Sequence, residues 1–343
     1  MSVMKAVRKA QLAVALPAVG CLAAAGLAIA PAAPAASAAS ARSAAAGLRV
    51  TGKIDLGGLG PSYSNAPSEA PNGDVYYALG RIVYLVSGDH APVAVLHASR
   101  PVLAVAATSA DLLVDTGLTV SAYSRGDYRL LGTWTLPPSQ EAVTSAGLYP
   151  VGSTVWAYTD WATDESGLEY ANVYRFSLSS PAVHVVSQNI AYPYSMAANS
   201  AGLYYEGVGD NNSNYLIRAM PSGALRKNVL DAEAPLALAA GNVYLLSYHY
   251  PDSRGDVNYL DAFHGSTLAP LFSHQVAGAD TGIAGTGVGL LMLGAGTVTL
   301  LDPANGHADA TLSVPGAVNL VPGPSAAVIT VSHSTTYLLR LAR

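Results

Sequence analysis

The residues best suited to chemistry in this sequence are aromatic, acidic and histidine side chains in and around three polar stretches. These stretches cover residues 159–169, 207–214 and 249–256. Exposed aromatic rings beside carboxylates and amides can stack on and hydrogen-bond a sugar, a peptide or another polar ligand. The residues that we assign to this candidate binding surface are Tyr63, Arg100, Glu141, Tyr158, Asp160, Trp161, Tyr192, Tyr194, Glu233, His249, Tyr250 and Asp280. Solvated hairpin tips without a ligand are the alternative interpretation.

A catalytic use of the same region would need paired general acid and base groups. Glycoside hydrolases, for example, place two carboxyl groups about 5–10 Å apart across a pocket. The candidates for such a lyase or glycoside hydrolase are Glu141, Glu233, Asp280 and His249. The sequence contains no G-x-S-x-G elbow and no nucleotide-binding loop. It therefore favours a binding module, with a propeller-type enzyme as the alternative.

No metal or cofactor is expected. The eight histidines are scattered without the H-x-H or H-E-x-x-H spacing of a local metal site. Residues Gly209–Asn214 carry oxygen ligands at alternating positions, as at the start of a calcium loop. The stretch lacks the following glycine and the distant bidentate glutamate of an EF-hand, so an Asn/Asp-rich turn is favoured over a calcium site.

Charge and composition restrict the partners. The formal net charge is -5, and no cluster of lysine and arginine follows the first ten residues. No nucleic-acid partner is expected, because phosphate neutralisation needs a basic patch. With 51% hydrophobic and 11% charged residues, the chain should bury an extensive core. The expected partner is an extracellular small molecule, glycan or protein.

The first 41 residues have the features of an export signal followed by an Ala/Pro-rich leader. A basic start precedes the apolar stretch Gln11–Ala30, and small residues up to Ala41 suit signal peptidase. An uncleaved membrane anchor is one alternative, and lipidation of Cys21, the sole cysteine, is another. Secretion is therefore predicted, with anchoring at the cell surface through the N-terminus as the alternative.

A repeat positions these residues. A small or turn residue followed by a short apolar run recurs seven times, and the first large apolar residues of the runs are Val75, Leu112, Val155, Leu203, Val243, Leu290 and Val328. Successive gaps of 37, 43, 48, 40, 47 and 38 residues are close to the roughly 40–45 of a four-stranded propeller blade. The innermost strand of each unit is small and alanine-rich, as the crowding around a central channel requires.

The sequence thus predicts an all-β, seven-bladed β-propeller of four-stranded antiparallel blades in residues 42–343. The predicted blades cover approximately residues 61–98, 101–137, 141–190, 192–231, 234–277, 280–315 and 317–343. The last blade is one strand short, and Leu48–Leu56 is a strand without a blade. Pairing it outside Tyr337–Leu341 closes the ring and removes an open edge. A β-sandwich with an unpaired leader strand is the alternative.

The blade order also predicts where the polar stretches lie. In a propeller, the loops from the second to the third strand share one face with the connections between blades. The three stretches join the second and third strands of blades 3, 4 and 5, so they should form a wall on one side of the channel mouth. Loops on a rigid scaffold commonly carry function.

Two features resemble a known repeat family. They are the segment Thr297-Val-Thr-Leu-Leu-Asp-Pro-Ala-Asn-Gly306 and the Gly-x-Val-Tyr starts of several units. Both resemble the repeats of YVTN-type and quinoprotein-like (PQQ-like) propellers. The resemblance implies the propeller fold. It implies no active site, because the tryptophan docking motifs of quinoprotein dehydrogenases are absent from the sequence.

Overall fold

The structure is a computed structural model, and all the regular elements that it describes are β-strands. The described residues are 47–57, 67–137, 143–162, 169–191, 195–208, 214–220, 222–229, 235–249, 257–276, 280–332 and 335–343. The predicted export signal and leader, residues 1–41, lie outside them. A search of the described residues for a helix long and apolar enough to cross a membrane finds none.

Twelve strands form the first three blades. Blade 1 consists of β2 (Ser68–Glu69), β3 (Val75–Leu79), β4 (Ile82–Val86) and β5 (Val93–His97). Blade 2 consists of β6 (Ala104–Ala107), β7 (Asp111–Asp115), β8 (Thr119–Ser124) and β9 (Leu130–Thr135). Blade 3 consists of β10 (Ser145–Val151), β11 (Thr154–Ala162), β12 (Glu169–Ser177) and β13 (Ser180–Ala191).

The remaining strands form blades 4 to 7. Blade 4 consists of β14 (Met196–Asn199), β15 (Gly202–Val208), β16 (Asn214–Met220) and β17 (Gly223–Asn228). Blade 5 consists of β18 (Leu236–Ala239), β19 (Asn242–His249), β20 (Val257–His264) and β21 (Pro270–Val276). Blade 6 consists of β22 (Asp280–Thr286), β23 (Gly289–Gly294), β24 (Thr297–Leu301) and β25 (Ala308–Ser313). Blade 7 combines β26 (Ala317–Val321), β27 (Ala326–Ser332) and β28 (Thr335–Ala342) with β1 (Arg49–Gly57).

The strands within each blade are antiparallel, and the seven blades form a ring. The predicted fold class is therefore confirmed. The second strands are apolar on both faces because each blade packs between two others. In blade 4, for example, Tyr204 packs with Val243 and Leu245 of blade 5, whereas Tyr205 packs with Trp156 of blade 3. Successive residues of a second strand thus face opposite neighbours.

The N-terminal strand completes blade 7, as predicted. Strand β1 pairs with β28 in an antiparallel register that places Ile54 opposite Leu338. Ile54 and Leu56 are each 2% exposed and join a core that also contains Val75 and Tyr77 of blade 1. One face of β1, formed by Ile54 and Leu56, is therefore buried between the last blade and the first one.

One feature departs from seven separate sheets. Strand β13 is twelve residues long, and its last residue, Ala191, pairs with Val208 at the end of β15. Blades 3 and 4 are consequently joined into one eight-stranded sheet. This bridge lies at the end of both blades that carries the long loops, so the loop-bearing side is where these two blades are tied together.

Candidate ligand-binding face

The turns of the blades divide between two faces of the ring. We call one the hairpin face; its turns between first and second strands include residues 70–74, 152–153, 200–201 and 240–241. We call the other the loop face; its connections between second and third strands include residues 116–118, 163–168, 209–213 and 250–256. The strand ends that flank the three polar stretches of blades 3 to 5 therefore lie on the loop face, and residues 163–168, 209–213 and 250–256 themselves lie outside the described residues.

The structure places only part of the predicted surface. Six of its residues lie outside the described part of the chain: Tyr63, Glu141, Tyr192, Tyr194, Glu233 and Tyr250. Arg100 is exposed in the connection between blades 1 and 2. For His249 and Asp280 the backbone is described, at the loop-face ends of β19 and β22. Since two of the four catalytic candidates lie outside the described residues, the enzyme alternative stays a prediction.

Strand β11 holds the other three predicted residues, and two of them differ from expectation. Asp160 and Trp161 are 8% and 6% exposed, so neither side chain forms an exposed rim. The reason is that β11 continues its pairing with β12 as far as Ala162 opposite Glu169. Trp161 instead stacks on Tyr170, with the ring centroids 6.4 Å apart.

Tyr158 is part-buried on the same strand. Its ring stacks on that of Tyr149 of the inner strand, with the centroids 6.4 Å apart. Gly147 leaves the room for this ring, because a Cβ there would lie 2.2 Å from the Tyr158 ring. Burial, and secondarily the neighbouring Tyr158, raises the pKa of Tyr149 well above its ordinary value. Tyr149 is therefore a neutral hydroxyl that can donate a hydrogen bond.

Buried polar side chains are concentrated beneath the loop face of blades 2 to 5. Nine are present in the described part of the chain, and Glu69 and Thr330 belong to blades 1 and 7. The other seven are Asp115, Thr159, Asp160, Asn172, Glu206, Ser247 and Asn258. All seven lie in the halves of second or third strands that are next to the loop face. Burial of polar groups is unfavourable unless they are hydrogen-bonded, and partners such as Gly117 for Asp115 and Asp261 for Ser247 are present here.

Asp115 lies between blades 2 and 3. It lies on the same face of β7 as Leu113, which packs against Val155 and Ala157 of blade 3. The residue is 0% exposed, and its Oδ1 accepts the Gly117 N–H at 2.6 Å. Its Oδ2 has no hydrogen-bond partner among the described residues. Burial raises the pKa of Asp115 to about 7, and the Gly117 bond partly opposes that rise.

Carboxylates also lie between blades 4 and 5. Glu206 is fully buried and lies two residues after Tyr204, on the same face of the strand, so it faces blade 5. From blade 5, the buried Ser247 donates a hydrogen bond of 2.7 Å to Oδ2 of Asp261. Asp261 follows Leu260, which packs toward blade 6. Successive residues of a strand point to opposite faces, so Asp261 faces blade 4. Each side of this interface thus contributes an acidic side chain.

These acids are not among the residues predicted from the sequence, although the repeat contains a signal for them. When the second strands are aligned on their first large apolar residue, the fourth positions are Ala78, Asp115, Tyr158, Glu206, Leu246, Leu293 and Val331. Two of seven equivalent positions are acidic where most are apolar. A carboxylate at a buried position of a repeat is not required by the fold.

The channel at the centre of the ring contains a cavity of about 460 Å³. Inner strands of blades 3 to 7 line it, mainly with alanine, leucine and glycine, which agrees with the small inner strands that the sequence predicts. The inner strands lie close together: a Cβ on Gly285 would be 1.9 Å from the Leu238 carbonyl oxygen. Tyr149, Ser195 and Asn319 supply polar groups, and none of the described lining residues is charged.

Comparisons with known proteins support the fold. No family model and no curated protein matches the chain. A chain of the mitotic checkpoint complex is similar at 14% identity and a TM-score of 0.58, covering 85% of this chain and 94% of that one. Sqt1 of Saccharomyces cerevisiae is similar at 11% identity and a TM-score of 0.51, covering 86% and 99%.

A third similar structure is PorZ, a bacterial surface component of the type-IX secretion system of Porphyromonas gingivalis. The identity is 10% and the TM-score 0.52, and the match covers 84% of this chain but 39% of PorZ. The resemblance to YVTN-type and quinoprotein-like repeats gains no sequence-level support and stays a prediction. At identities of 10–14%, the similarities show the fold alone, that of a β-propeller.

Proposed function

We propose that this protein is an exported binding module that holds a glycan or peptide at the loop face of blades 2 to 5, over the mouth of the channel. One observation carries the proposal: seven of the nine buried polar side chains described lie beneath that part of the ring. The equivalent positions of blades 1 and 6 hold the apolar Ala78 and Leu293 where blades 2 and 4 hold Asp115 and Glu206, so the propeller fold by itself does not require polar side chains there.

The chemistry of the site suggests the kind of ligand. Asp115, whose Oδ2 has no partner among the described residues, is an acceptor when ionised, so it favours a ligand rich in hydroxyl, amide or amine donors. The channel has apolar walls with a few hydroxyl and amide groups, as small-ligand sites usually have. Export rests on the leader sequence of residues 1–41.

The test is a glycan and peptide array probed with the full chain, followed by measurement of any hit on two variants. Gly282 lines the channel, and a Cβ there meets no atom within 4 Å, so Gly282→Phe should obstruct the channel without a steric clash in the fold. Gly47, before β1, also has nothing within 4 Å, and Gly47→Phe is the matched control.

We expect Gly282→Phe to weaken binding of the hit by about tenfold or more, because a phenyl ring would occupy the ligand's space, with Gly47→Phe unchanged. Equal affinity of both variants would place the ligand away from the channel mouth. A blank result on both arrays would contradict the proposal as a whole.

A further inference from the structure

The hairpin face has an open groove of about 230 Å³ between blades 3 and 4. Its walls include Val151, Thr154 and Trp156 of blade 3 and residues 199–202 of blade 4. The guanidinium-bearing residue of the groove is Arg175, which is part-buried. Among the described residues, no hydrogen bond or ion pair engages Arg175. The groove therefore contains a positive charge for which the described residues supply no acceptor.

The next blade shows what an arginine at this position does when an acceptor is present. Arg175 pairs across the sheet with Trp156, and Arg218 pairs with Tyr204. Trp156 and Tyr204 each immediately follow the first large apolar residue of their second strand. Arg175 and Arg218 are therefore at equivalent positions of blades 3 and 4.

Arg218 is fully engaged. Its Nε and Nη2 donate to the Ala201 carbonyl oxygen at 3.0 and 2.7 Å, within its own blade. Its Nη1 donates to the Ser266 carbonyl oxygen in the third-to-fourth turn of blade 5. Arg218 thus connects two blades through an acceptor that its neighbour supplies.

The turn that neighbours each arginine differs in length between the two positions. Five residues, 265–269, separate β20 from β21 and bring Ser266 over Arg218. Only two residues, 221–222, separate β16 from β17 in blade 4. Among the described residues, no carbonyl oxygen of blade 4 accepts from Arg175 as the Ser266 oxygen accepts from Arg218.

We propose that this groove binds a carboxylate on a short apolar stem. The guanidinium is a planar fork that matches a carboxylate in two-point geometry. Val151 and Trp156 supply apolar wall for a stem, and the Thr154 hydroxyl is a further donor. One positive charge balances a monoanion, whereas a phosphate dianion usually needs more than one. The proposal is independent of the loop-face function, because the two sites lie on opposite faces.

The experiment follows the Nε–Hε signals of Arg175 and Arg218 by NMR in the full chain. The probes are butyrate, its uncharged analogue butyramide, inorganic phosphate and the peptide acetyl-Gly-Glu-Gly-amide. We expect a saturable shift of the Arg175 signal with butyrate and with the peptide, none with butyramide, and no shift of Arg218. Calorimetry should show about tenfold or greater weakening in Arg175→Gln, since a charged hydrogen-bonded pair is lost, and smaller weakening in Arg175→Lys.

Tighter binding of the peptide than of butyrate would identify a protein side chain as the source of the carboxylate, and the reverse order a free acid. Several results would overturn the proposal: no saturable shift with either carboxylate, the same response to butyramide, or tighter binding of phosphate than of butyrate. The native chain provides the NMR result by itself, so the test does not depend on the folding of a variant.

Discussion

Two buried carboxylates of this ring have opposite surroundings. Glu69, at the seam between blades 7 and 1, has a fully buried side chain that accepts the Ser325 N–H at 3.0 Å and the Ser325 hydroxyl. The Arg340 guanidinium lies 3.6 Å from its Oε1. Asp115, between blades 2 and 3, is also fully buried, but among the described residues its carboxyl group accepts only the Gly117 N–H.

The difference indicates which of the two carboxylates the closure of the ring requires. At the seam, blade 7 must pack against blade 1 to close the ring, and Arg340 of blade 7 also donates to the Gly73 carbonyl of blade 1 at 2.9 Å. A buried ion that is paired and hydrogen-bonded on several sides fixes one arrangement, and removing a partner leaves an uncompensated charge. No such closure depends on Asp115. Burial raises the pKa of Asp115 to about 7, so we expect its ionised form to lower stability, as a group retained for a ligand would.

The largest effect should come from the seam. Glu69→Ala leaves Arg340 without its anion and the Ser325 N–H without its acceptor, so the free energy of unfolding should fall by about 3–5 kcal/mol in urea denaturation. Glu69→Gln retains one acceptor oxygen and should lose less. A change below about 1 kcal/mol for Glu69→Ala would remove the distinction between the two carboxylates.

The closure strand should give the next largest effect. Ile54→Ala opens a cavity between blades 7 and 1, and we expect a loss of about 2–5 kcal/mol in urea denaturation. Val50 of the same strand is 42% exposed, so Val50→Ala is the matched control with an expected change within about 0.5 kcal/mol. Equal effects of the two substitutions would mean that β1 is not packed as described.

An exposed ion pair should have the smallest effect. Arg343 lies 3.0 Å from Asp309, with side chains 53% and 42% exposed. Solvent screening leaves such a pair with little energy, so Arg343→Ala should change the free energy of unfolding by less than about 0.5 kcal/mol. A loss near that of Glu69→Ala would show that an ion pair can have an effect of this size without being buried.

The ring and its closure were predictable from the sequence. The apolar starts recur at the spacing of blades, and the last blade lacks a strand that Leu48–Leu56 can supply. The observed strand, Arg49–Gly57, is displaced by one residue at each end. The prediction succeeded because strand count and apolar periodicity are local properties of the chain.

The site was less accessible to sequence reasoning. Thr159 and Asp160 suggest a loop, yet backbone pairing continues through them because antiparallel hydrogen bonds do not depend on side-chain polarity. The burial of Asp160 and Trp161 is set by the packed ring, which is information of long range. Likewise, the equivalence of Arg175 and Arg218 appears only once the cross-strand registers are known.

The pH dependence of stability tests most directly whether the ionised carboxyl group of Asp115 lowers the free energy of unfolding. Its pKa is raised to about 7 in the folded chain, above the roughly 3.9 of an unfolded aspartate. At Asp115 the folded state therefore binds more protons between these values, so the contribution of Asp115 to stability should fall as the pH rises from about 4 to about 7 and then level off.

An asparagine side chain cannot titrate, so the stability of the Asp115→Asn variant relative to the native chain should rise by about 2–4 kcal/mol over that interval. Urea denaturation at a series of pH values from about 4.5 to 8 measures this difference. We expect Asp115→Asn to be more stable than the native chain at the upper end of this pH range. A difference that stays constant or falls with increasing pH would contradict it.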